Sequence, residues 1–182
     1  KQEALPPDPL SPYAVQKLAG EHYAALYHRL YGLPTTALRY FNVYGPRQDP
    51  SSPYSGVISI FMSRAAAGAG PLIHGDGEQS RDFIYVADVA RANLQAARSP
   101  AAAGGVFNVA TGHSVTINRL WEAVARLAGV GVRPTHGPAR AGDVRESRAS
   151  IAAAAEAFGL RPRMALDEGL ARTYDWYRRQ GG

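Results

Sequence analysis

The stretch Ser11-Pro12-Tyr13-Ala14-Val15-Gln16-Lys17 opens a long helical pattern. A serine cap or a proline in the first turn fits a helix start, and the glycine after Tyr31 fits its end. Tyr13 and Lys17 are four positions apart, so on a helix their side chains share one face. The pattern predicts a helix over residues 12–31, with a phenol and an ammonium together near its start.

This pairing has a direct chemical meaning. A free phenol has a pKa near ~10 and is a poor base at neutral pH, but a nearby ammonium favours the phenolate. Tyr13 and Lys17 therefore fit a general acid/base and the group that tunes it. The spacing alone leaves open that Tyr13 packs on a core and Lys17 is solvated. The chain has 20 basic residues, and since Lys1 and Lys17 are its only lysines, the other 18 are arginines, which favours a specific role for Lys17.

Composition indicates a globular protein. At 182 residues, with 46% hydrophobic and 19% charged residues, the chain can form one core, or one domain and part of another. It has no cysteine, which excludes disulfides and thiol catalysis and leaves the cytoplasm as the expected location. The apolar stretch 56–73 is too interrupted to span a membrane. The proline-rich start, with no initiator methionine, predicts a piece of a longer protein.

The net charge of +5 and the isoelectric point near 9.7 predict an anionic partner. Arg178-Arg179 is the only adjacent basic pair, and no basic run is interleaved with aromatic residues. Nucleic acid is therefore disfavoured as the partner, and no membrane partner is expected. A phosphorylated small molecule fits the scattered charges better.

Periodicity predicts alternating strands and helices after the first helix. The expected strands are 35–41, 71–74, 81–86, 106–109 and, as an edge strand, 132–134. A loop is expected at 42–47 and an irregular segment at 48–55, beyond the carboxyl end of the first strand, where open α/β sheets bind ligands. The expected helices are 57–67, 88–98, a helix from Ser114 or Thr116 to Ala128, 150–158 and 166–179.

Four motifs occur in an order and spacing that resemble the extended short-chain dehydrogenase/reductase family. They are Ser11-Pro-Tyr-x3-Lys, Arg39-Tyr-Phe-Asn-Val-Tyr-Gly-Pro-Arg-Gln-Asp-Pro, Gly75-Asp-Gly-Glu-Gln-Ser-Arg-Asp-Phe-Ile-Tyr-Val and Arg140-Ala-Gly-Asp. The resemblance covers nearly the whole chain, and the run 42–56 is most similar to the UDP-glucose and UDP-N-acetylglucosamine 4-epimerases. It implies an α/β fold, the carboxyl part of an extended Rossmann-type, doubly wound fold with a smaller α/β substrate-binding domain.

The resemblance implies a domain division and an incomplete NAD site. Residues 1–45 and 80–112 would be end portions of the dinucleotide-binding domain, and residues 46–79 and 113–182 the substrate domain. The family binds NAD on an earlier strand-turn-helix with Gly-x-x-Gly-x-x-Gly and has a Ser or Thr upstream of the tyrosine. Neither precedes Tyr13 in this sequence. Half of the NAD site is therefore expected to be missing from these residues.

The resemblance also implies catalytic and cofactor roles. Tyr13 would be the base that takes the 4-hydroxyl proton of a UDP-sugar while hydride passes to NAD. Lys17 would hold the nicotinamide ribose and favour the phenolate, and Tyr40 would lie along the cofactor. No metal is implied. The apolar and aromatic surface of the first helix, with the family's habit of pairing through it, implies a homodimer of the intact protein.

The substrate-binding residues implied by the resemblance are Asn42, Leu72, His74, Arg81, Arg140, Asp143 and Ser147. The two arginines would bind the diphosphate, and the backbone of 72–74 would run beside the uracil. Ser147 would face the sugar's 2-substituent, where its small side chain leaves room for an acetamido group. Read one at a time, each residue also fits an ordinary strand, turn or loop position.

Several functions remain open on the sequence. Within the family, a UDP-glucuronate decarboxylase or a nucleotide-sugar 4,6-dehydratase would share these motifs, and the dehydratases use further acid/base residues upstream. A different class is a sugar-nucleotide-binding and dimerisation module with no turnover of its own.

Overall fold

The computed structural model describes residues 1–51, 56–140 and 142–180. Within these ranges the chain forms α helices joined by short strands, in an α/β arrangement. The helices are α1 Pro12–Tyr31, α2 Val57–Ala66, α3 Val86–Arg98, α4 Ile117–Ala128, α5 Ala152–Phe158 and α6 Leu166–Gln180, with a short 3-10 turn at Pro100–Ala102. The strands are β1 Ala37–Tyr40, β2 Asn42–Tyr44, β3 Leu72–His74, β4 Ser80–Arg81, β5 Phe83–Tyr85, β6 Val106–Val109, β7 Val115–Thr116, β8 Thr135–Gly137 and β9 Glu146–Ser147.

Helix α1 has the predicted boundaries, and its ends explain them. The Ser11 side chain accepts a hydrogen bond from the Ala14 N–H at 3.1 Å, which caps the first turn. At the other end Gly32 adopts a φ of +65°, and its N–H donates to the His28 carbonyl. The sequence prediction for this helix is confirmed.

The strands pair mostly in parallel. β1 pairs with β6, β2 with β5, and β3 with β8, all parallel, while β4 lies between antiparallel β7 and parallel β9. Parallel pairs joined through helices are the signature of an α/β fold, so the predicted class is confirmed.

Three local predictions are wrong. Residues 42–44 form strand β2, not a loop, because the Asn42 N–H donates to the Asp82 carbonyl and continues the ladder. The edge strand expected at 132–134 begins instead at Thr135, just after a proline that has no N–H to donate. The strand expected at 81–86 is divided at Asp82 into β4 and β5, and Val86 already begins α3; strand β9 was not predicted. Of the predicted irregular segment, residues 52–55 lie outside the described ranges.

Buried side chains form two clusters. The first joins α2, α4 and α6, and its centre includes Phe61 and Trp121, whose rings meet edge to face at 5.4 Å. The second joins α3, α5 and β6, with Phe107 against Phe158 at 5.3 Å. The apolar residues Ile117, Leu120, Trp121 and Val124 of α4 are buried in or beside this first cluster, whereas Leu127 on the same helix is exposed.

Helix α1 lies outside both clusters. None of its residues is fully buried, and its exposed large hydrophobic residues are Tyr13, Val15, Tyr23, Leu26, Tyr27, Leu30 and Tyr31. Much of its apolar surface is therefore open in this chain. None of the helices in the described ranges is long and apolar enough to cross a membrane.

Candidate active site

Almost all of the site residues proposed from the sequence line two adjoining cavities. The larger has a volume of about 600 Å³ and is lined by Tyr13, Tyr40, Phe41, Asn42, Val43, Tyr44, Gln48, Gly56, Val57, Ile58, Phe83 and Ser147. The smaller, of about 410 Å³, is lined by Asn42, Gly56, Val57, Ile60, Phe61, Leu72, Ile73, His74, Gln79, Arg81, Ile117, Arg140 and Asp143. They share Asn42, Gly56 and Val57, so they form two parts of one trough.

Tyr13 and Lys17 meet as their spacing predicts. The Lys17 Nζ lies 5.3 Å from the centre of the Tyr13 ring, and both side chains are exposed on the first turns of α1. Tyr13 borders the larger cavity. Tyr40, at the end of β1, borders the same cavity, and its hydroxyl donates to the Asn93 Oδ1 at 2.7 Å. The structure thus puts the Tyr13 phenol at one rim of the trough, with the Lys17 ammonium over its ring; Lys17 itself lines neither cavity.

Asn42 stands where the two cavities meet. It begins β2, and its Nδ2 donates to the Asp82 main-chain carbonyl at 2.9 Å, which fixes the side chain. Strand pairing therefore orients this amide.

Arg81 and Arg140 border the smaller cavity, but their surroundings differ. The Arg81 side chain is mostly buried and donates to the Asp143 carboxylate and to the carbonyls of Ser80 and Val144. Arg140 is exposed. The Asp143 N–H donates to the Arg140 carbonyl at 3.2 Å, so one turn brings both residues to the cavity. Asp143 serves in this structure to hold Arg81.

Strand β3 forms another wall of the smaller cavity. Leu72 is more than half exposed, and the His74 Nδ1 lies 3.3 Å from the Pro138 carbonyl oxygen. The His74 carbonyl already accepts a hydrogen bond of 2.7 Å from the Gln79 side chain. Gln79 is a wall residue that the sequence did not single out.

Ser147 reaches the larger cavity because of its strand. β9 runs parallel to β4, with Ser147 in register with Arg81, and the serine is partly buried. It lines the same cavity as Tyr13 and Asn42. Three residues from three separate motifs thus border one space.

Charged residues continue beyond the smaller cavity. A further cavity of about 250 Å³ is lined by His74, Gln79, Arg140 and Asp143, together with Asp76 and Arg145. Arg145 donates to the Asp76 carboxylate at 2.7 Å. The Arg145 hydrogen bond and the Glu78 N–H hold the pKa of Asp76 below its usual value.

Asp82 is a structural residue that sequence reasoning missed. Its carboxylate is fully buried and accepts hydrogen bonds from the Thr111 N–H and hydroxyl, the Gly112 N–H and the Ala149 N–H, at 2.6 to 3.3 Å. It therefore ties the β4–β5 junction to two other segments behind the trough. In the sequence, Arg81-Asp82 begins a predicted strand, where it fits an exposed pair equally well.

Other wall residues were also missed. Gln48, Gly56 and Val57 line the trough. The signal for Gln48 and Gly56 was their place in the run 42–56, to which Asn42 also belongs, whereas nothing in the sequence singled out Val57. Among the described residues, no group of three or more His, Asp or Glu side chains is placed to hold a metal ion.

Comparison with known proteins identifies the family. A family profile described as NAD dependent epimerase/dehydratase family matches residues 1–110. The chain belongs to that family. NAD is the family's cofactor, as the sequence predicted.

Members of the epimerase/dehydratase family are similar over nearly the whole chain. The UDP-glucose 4-epimerase of Mycolicibacterium smegmatis is 42% identical over 176 residues, covering 97% of this chain and 56% of the relative. The crystal structure of the UDP-glucose 4-epimerase of Thermotoga maritima, with UDP-glucose, gives a TM-score of 0.95 at 41% identity and covers 100% of this chain and 58% of that one.

A third similar protein is the UDP-N-acetylglucosamine 4-epimerase of Methanobrevibacter ruminantium, solved in complex with UDP-N-acetylmuramic acid. Its TM-score is 0.89 at 42% identity, and the match covers 98% of this chain and 59% of that one. The chain thus spans little more than half the length of these relatives. The structural similarity confirms the predicted Rossmann-type α/β fold.

Proposed function

We propose that this chain supplies the catalytic tyrosine and the sugar-nucleotide site of an NAD-dependent UDP-sugar 4-epimerase. The observation that carries the proposal is the trough: the cavity bordered by Tyr13 and Ser147 adjoins the cavity bordered by Arg81 and Arg140, with Asn42 common to both. A sugar in the first and a diphosphate in the second would place C4 chemistry near Tyr13.

The residues present fit one end of NAD. Tyr13 and Lys17 present a hydroxyl and an ammonium on an exposed helix face, and Tyr40 lies exposed at the rim of the same cavity. These three would hold the nicotinamide end. NAD, when bound, takes up the hydride from the sugar and returns it.

The chain's own part in the reaction is proton transfer. The Tyr13 phenolate oxygen takes the proton of the sugar 4-hydroxyl as the C4 hydrogen leaves as hydride, which gives a 4-keto sugar. Return of the proton from Tyr13 and of the hydride to the opposite face of C4 inverts that centre. Lys17 supplies the positive charge that favours the phenolate before the first step and again after the second.

The nucleotide would be held by charge and by shape. Arg81 and Arg140 would bind the diphosphate through charge-assisted hydrogen bonds, and Asp143 would keep the Arg81 guanidinium in place. Leu72 and His74 would border the uracil, and Asn42 would contact the sugar.

Ser147 would decide the size of the sugar. A serine hydroxyl leaves space at the wall of the larger cavity and can hydrogen-bond to an acetamido group. We therefore extend the proposal to both the plain hexoses and their N-acetyl forms. The two kinds of sugar nucleotide named for the similar epimerases of Thermotoga maritima and Methanobrevibacter ruminantium support this.

The exposed apolar face of α1 supports a homodimer of the full-length protein. Besides Tyr13, six large hydrophobic residues of this helix are exposed, and burying that face against a second subunit would remove them from water. Light scattering of the full-length protein should give twice the monomer mass, and a monomer at high concentration would contradict this arrangement.

The decisive test is the product made by the full-length protein. Incubation with NAD and either UDP-glucose or UDP-N-acetylglucosamine should give the C4 epimer of each, identified by proton NMR. A 4-keto-6-deoxy product would indicate a dehydratase, and carbon dioxide release from UDP-glucuronate a decarboxylase. Binding of UDP-sugars with no product from any of them would indicate a module without turnover.

A further inference from the structure

The described residues of the loop between β2 and α2 are 45–51 and 56; Gln48 and Gly56 among them form part of the wall of the larger cavity, and helix α6 contacts Gln48. Tyr177, on α6, is buried in the first cluster, and its hydroxyl donates to the main-chain carbonyl of Gln48. Gln48 itself lines the larger cavity. A residue near the end of the chain therefore contacts the segment that borders the candidate sugar site.

The loop needs such an anchor, because its own geometry is unfavourable. Arg47 has a φ of +70°, a left-handed conformation that is strained for a non-glycine residue and persists only where its surroundings impose it. The Gln48 Oε1 is buried and has no hydrogen-bond partner among the described residues. The side chain of Gln48 therefore does not secure the loop, whereas its main-chain carbonyl is held.

Gln48 also packs closely on the other wall residue of this loop. A Cβ placed on Gly56 would lie 3.3 Å from the Gln48 Nε2, so the amide rests against the bare glycine. Gly56 lines both cavities. Any shift of Gln48 would thus change the shape of the trough where its two parts meet.

A second contact joins α6 to the start of the loop. The Tyr44 hydroxyl donates to the Leu166 carbonyl at 3.4 Å, and a Cβ on Gly169 would lie 2.2 Å from the Tyr44 hydroxyl oxygen. Helix α6 therefore meets the loop before and after Arg47. Burial raises the pKa of the Tyr177 phenol, and its side-chain hydrogen bond with Ser59 on α2 only partly offsets this.

We propose that Tyr177 is a positioning residue, which holds Gln48 against Gly56 and so shapes the cavity wall around the sugar. The sugar assignment rests on the proposed function above; the anchoring of the loop does not. Tyr13 and Lys17 are carried by α1 and not by α6, so loss of the anchor should weaken substrate binding more than the chemical step.

The test is Tyr177→Phe in the full-length protein, which removes the hydroxyl and keeps the buried ring. The matched control is Thr173→Val, on the same helix: Thr173 is buried, and its hydroxyl bonds only the Gly169 carbonyl of α6 among the described residues. Both variants lose one buried hydroxyl, but only the first loses a loop contact.

Two readouts are measured for each variant. The first is KM and kcat with UDP-glucose: Tyr177→Phe should raise KM by roughly tenfold, about the worth of one net hydrogen bond, with little change in kcat. The second is limited trypsin digestion, followed by mass spectrometry, at the bond between exposed Arg47 and Gln48. Cleavage there should be faster in Tyr177→Phe and unchanged in Thr173→Val.

The outcomes separate the two proposals. Unchanged cleavage at Arg47 in Tyr177→Phe would overturn the anchor, whatever the enzyme does. Faster cleavage with an unchanged KM would overturn the effect on the substrate site. A wild-type protein that turns over no UDP-sugar would refute the proposed function, and the cleavage rates would then decide the anchoring role alone.

Discussion

Tyr13 is the residue on which the proposed chemistry depends, and 52% of its surface is exposed. Opposite unit charges 4 Å apart attract by only ~1 kcal/mol in water, and by several times more in a less polar site. The Lys17 ammonium, 5.3 Å from the ring centre, would therefore favour the phenolate strongly only when water is excluded. Bound cofactor and sugar would provide that exclusion at the rim of the trough.

Replacing Tyr13 tests this role directly. Tyr13→Phe in the full-length protein should lower kcat for UDP-glucose by roughly 10²- to 10⁴-fold, the usual cost of losing a general acid/base. Tyr23→Phe is the control, because Tyr23 is an exposed phenol on the same helix and outside both cavities. Wild-type turnover in Tyr13→Phe would exclude Tyr13 as the base.

Ser147 provides a test of substrate size. Ser147→Tyr would fill the space beside Asn42 with a ring, so UDP-N-acetylglucosamine activity should fall by at least about 100-fold while UDP-glucose activity is largely kept. Glu146→Tyr is the control: Glu146 precedes Ser147 on β9, so its side chain points to the other side of the strand. Equal loss of both activities would indicate general damage and contradict the size argument.

Individual residues differed in how far the sequence predicted them. The Tyr13–Lys17 contact follows from helical spacing, which needs no tertiary information. The meeting of Asn42 and Ser147 in one cavity depends on long-range strand pairing, and only the family resemblance anticipated it. Asp82 was missed because a buried and an exposed carboxylate look alike in sequence, and only the hydrogen bonds that it accepts separate them.

At the scale of elements, the helices were predicted better than the strands. Helices carry local signals: Ser11 caps α1, Thr116 caps α4 and a left-handed glycine ends each of them. Strand limits depend on a partner that is distant in sequence. Residues 42–44 were expected to be loop, because nothing local indicates that their backbone pairs with β5.

The first turn of helix α3 forms hydrogen bonds to a segment distant in sequence, which no sequence pattern indicated. Asp88 is buried, and its carboxylate accepts hydrogen bonds from the Arg163 and Met164 N–H groups and from the Arg91 side chain. Burial alone would raise the pKa of Asp88, but these hydrogen bonds outweigh it and hold the pKa below its usual value. This side chain joins α3, a helix of the second cluster, to residues 163–164 before α6.

These hydrogen bonds of Asp88 should make the free energy of unfolding depend on pH under acidic conditions. A carboxyl with a lowered folded-state pKa stabilises the fold above its unfolded pKa of ~3.9, and that contribution is lost as pH falls through the folded pKa. Asp88→Asn should therefore cost about 1–3 kcal/mol in urea unfolding at pH 7, and less as the pH is lowered below ~4.

The control for the Asp88 measurement is Asp175→Asn. Asp175 is an exposed carboxylate on α6 that is 3.8 Å from Arg178, so its removal should change stability by less than about 0.5 kcal/mol. A constant difference between Asp88→Asn and wild type from pH 7 to 3 would contradict the role of the charged carboxylate.

At the scale of the whole molecule, the chain contains more of the proposed UDP-sugar site than of the proposed NAD site. The residues proposed to bind the nucleotide lie together along the smaller cavity and the one beyond it, and the chain is basic, with a net charge of +5. The glycine-rich fingerprint that cradles a dinucleotide pyrophosphate does not occur in the 182 residues. The proposed division into a dinucleotide-binding and a substrate domain would account for this difference.

This difference between the two sites predicts that the 182-residue chain alone binds UDP more tightly than NAD. Arg81 and Arg140 can form charge-assisted hydrogen bonds to the UDP diphosphate, each worth ~1.5–3 kcal/mol, whereas NAD would contact this chain mainly through its nicotinamide end. Calorimetric titration at low salt should give a UDP affinity at least roughly tenfold above that for NAD.

Arg140→Ala should weaken UDP binding and leave the circular dichroism spectrum unchanged. Stoichiometric NAD, released on denaturing a sample shown by mass to contain only these residues, would refute the prediction.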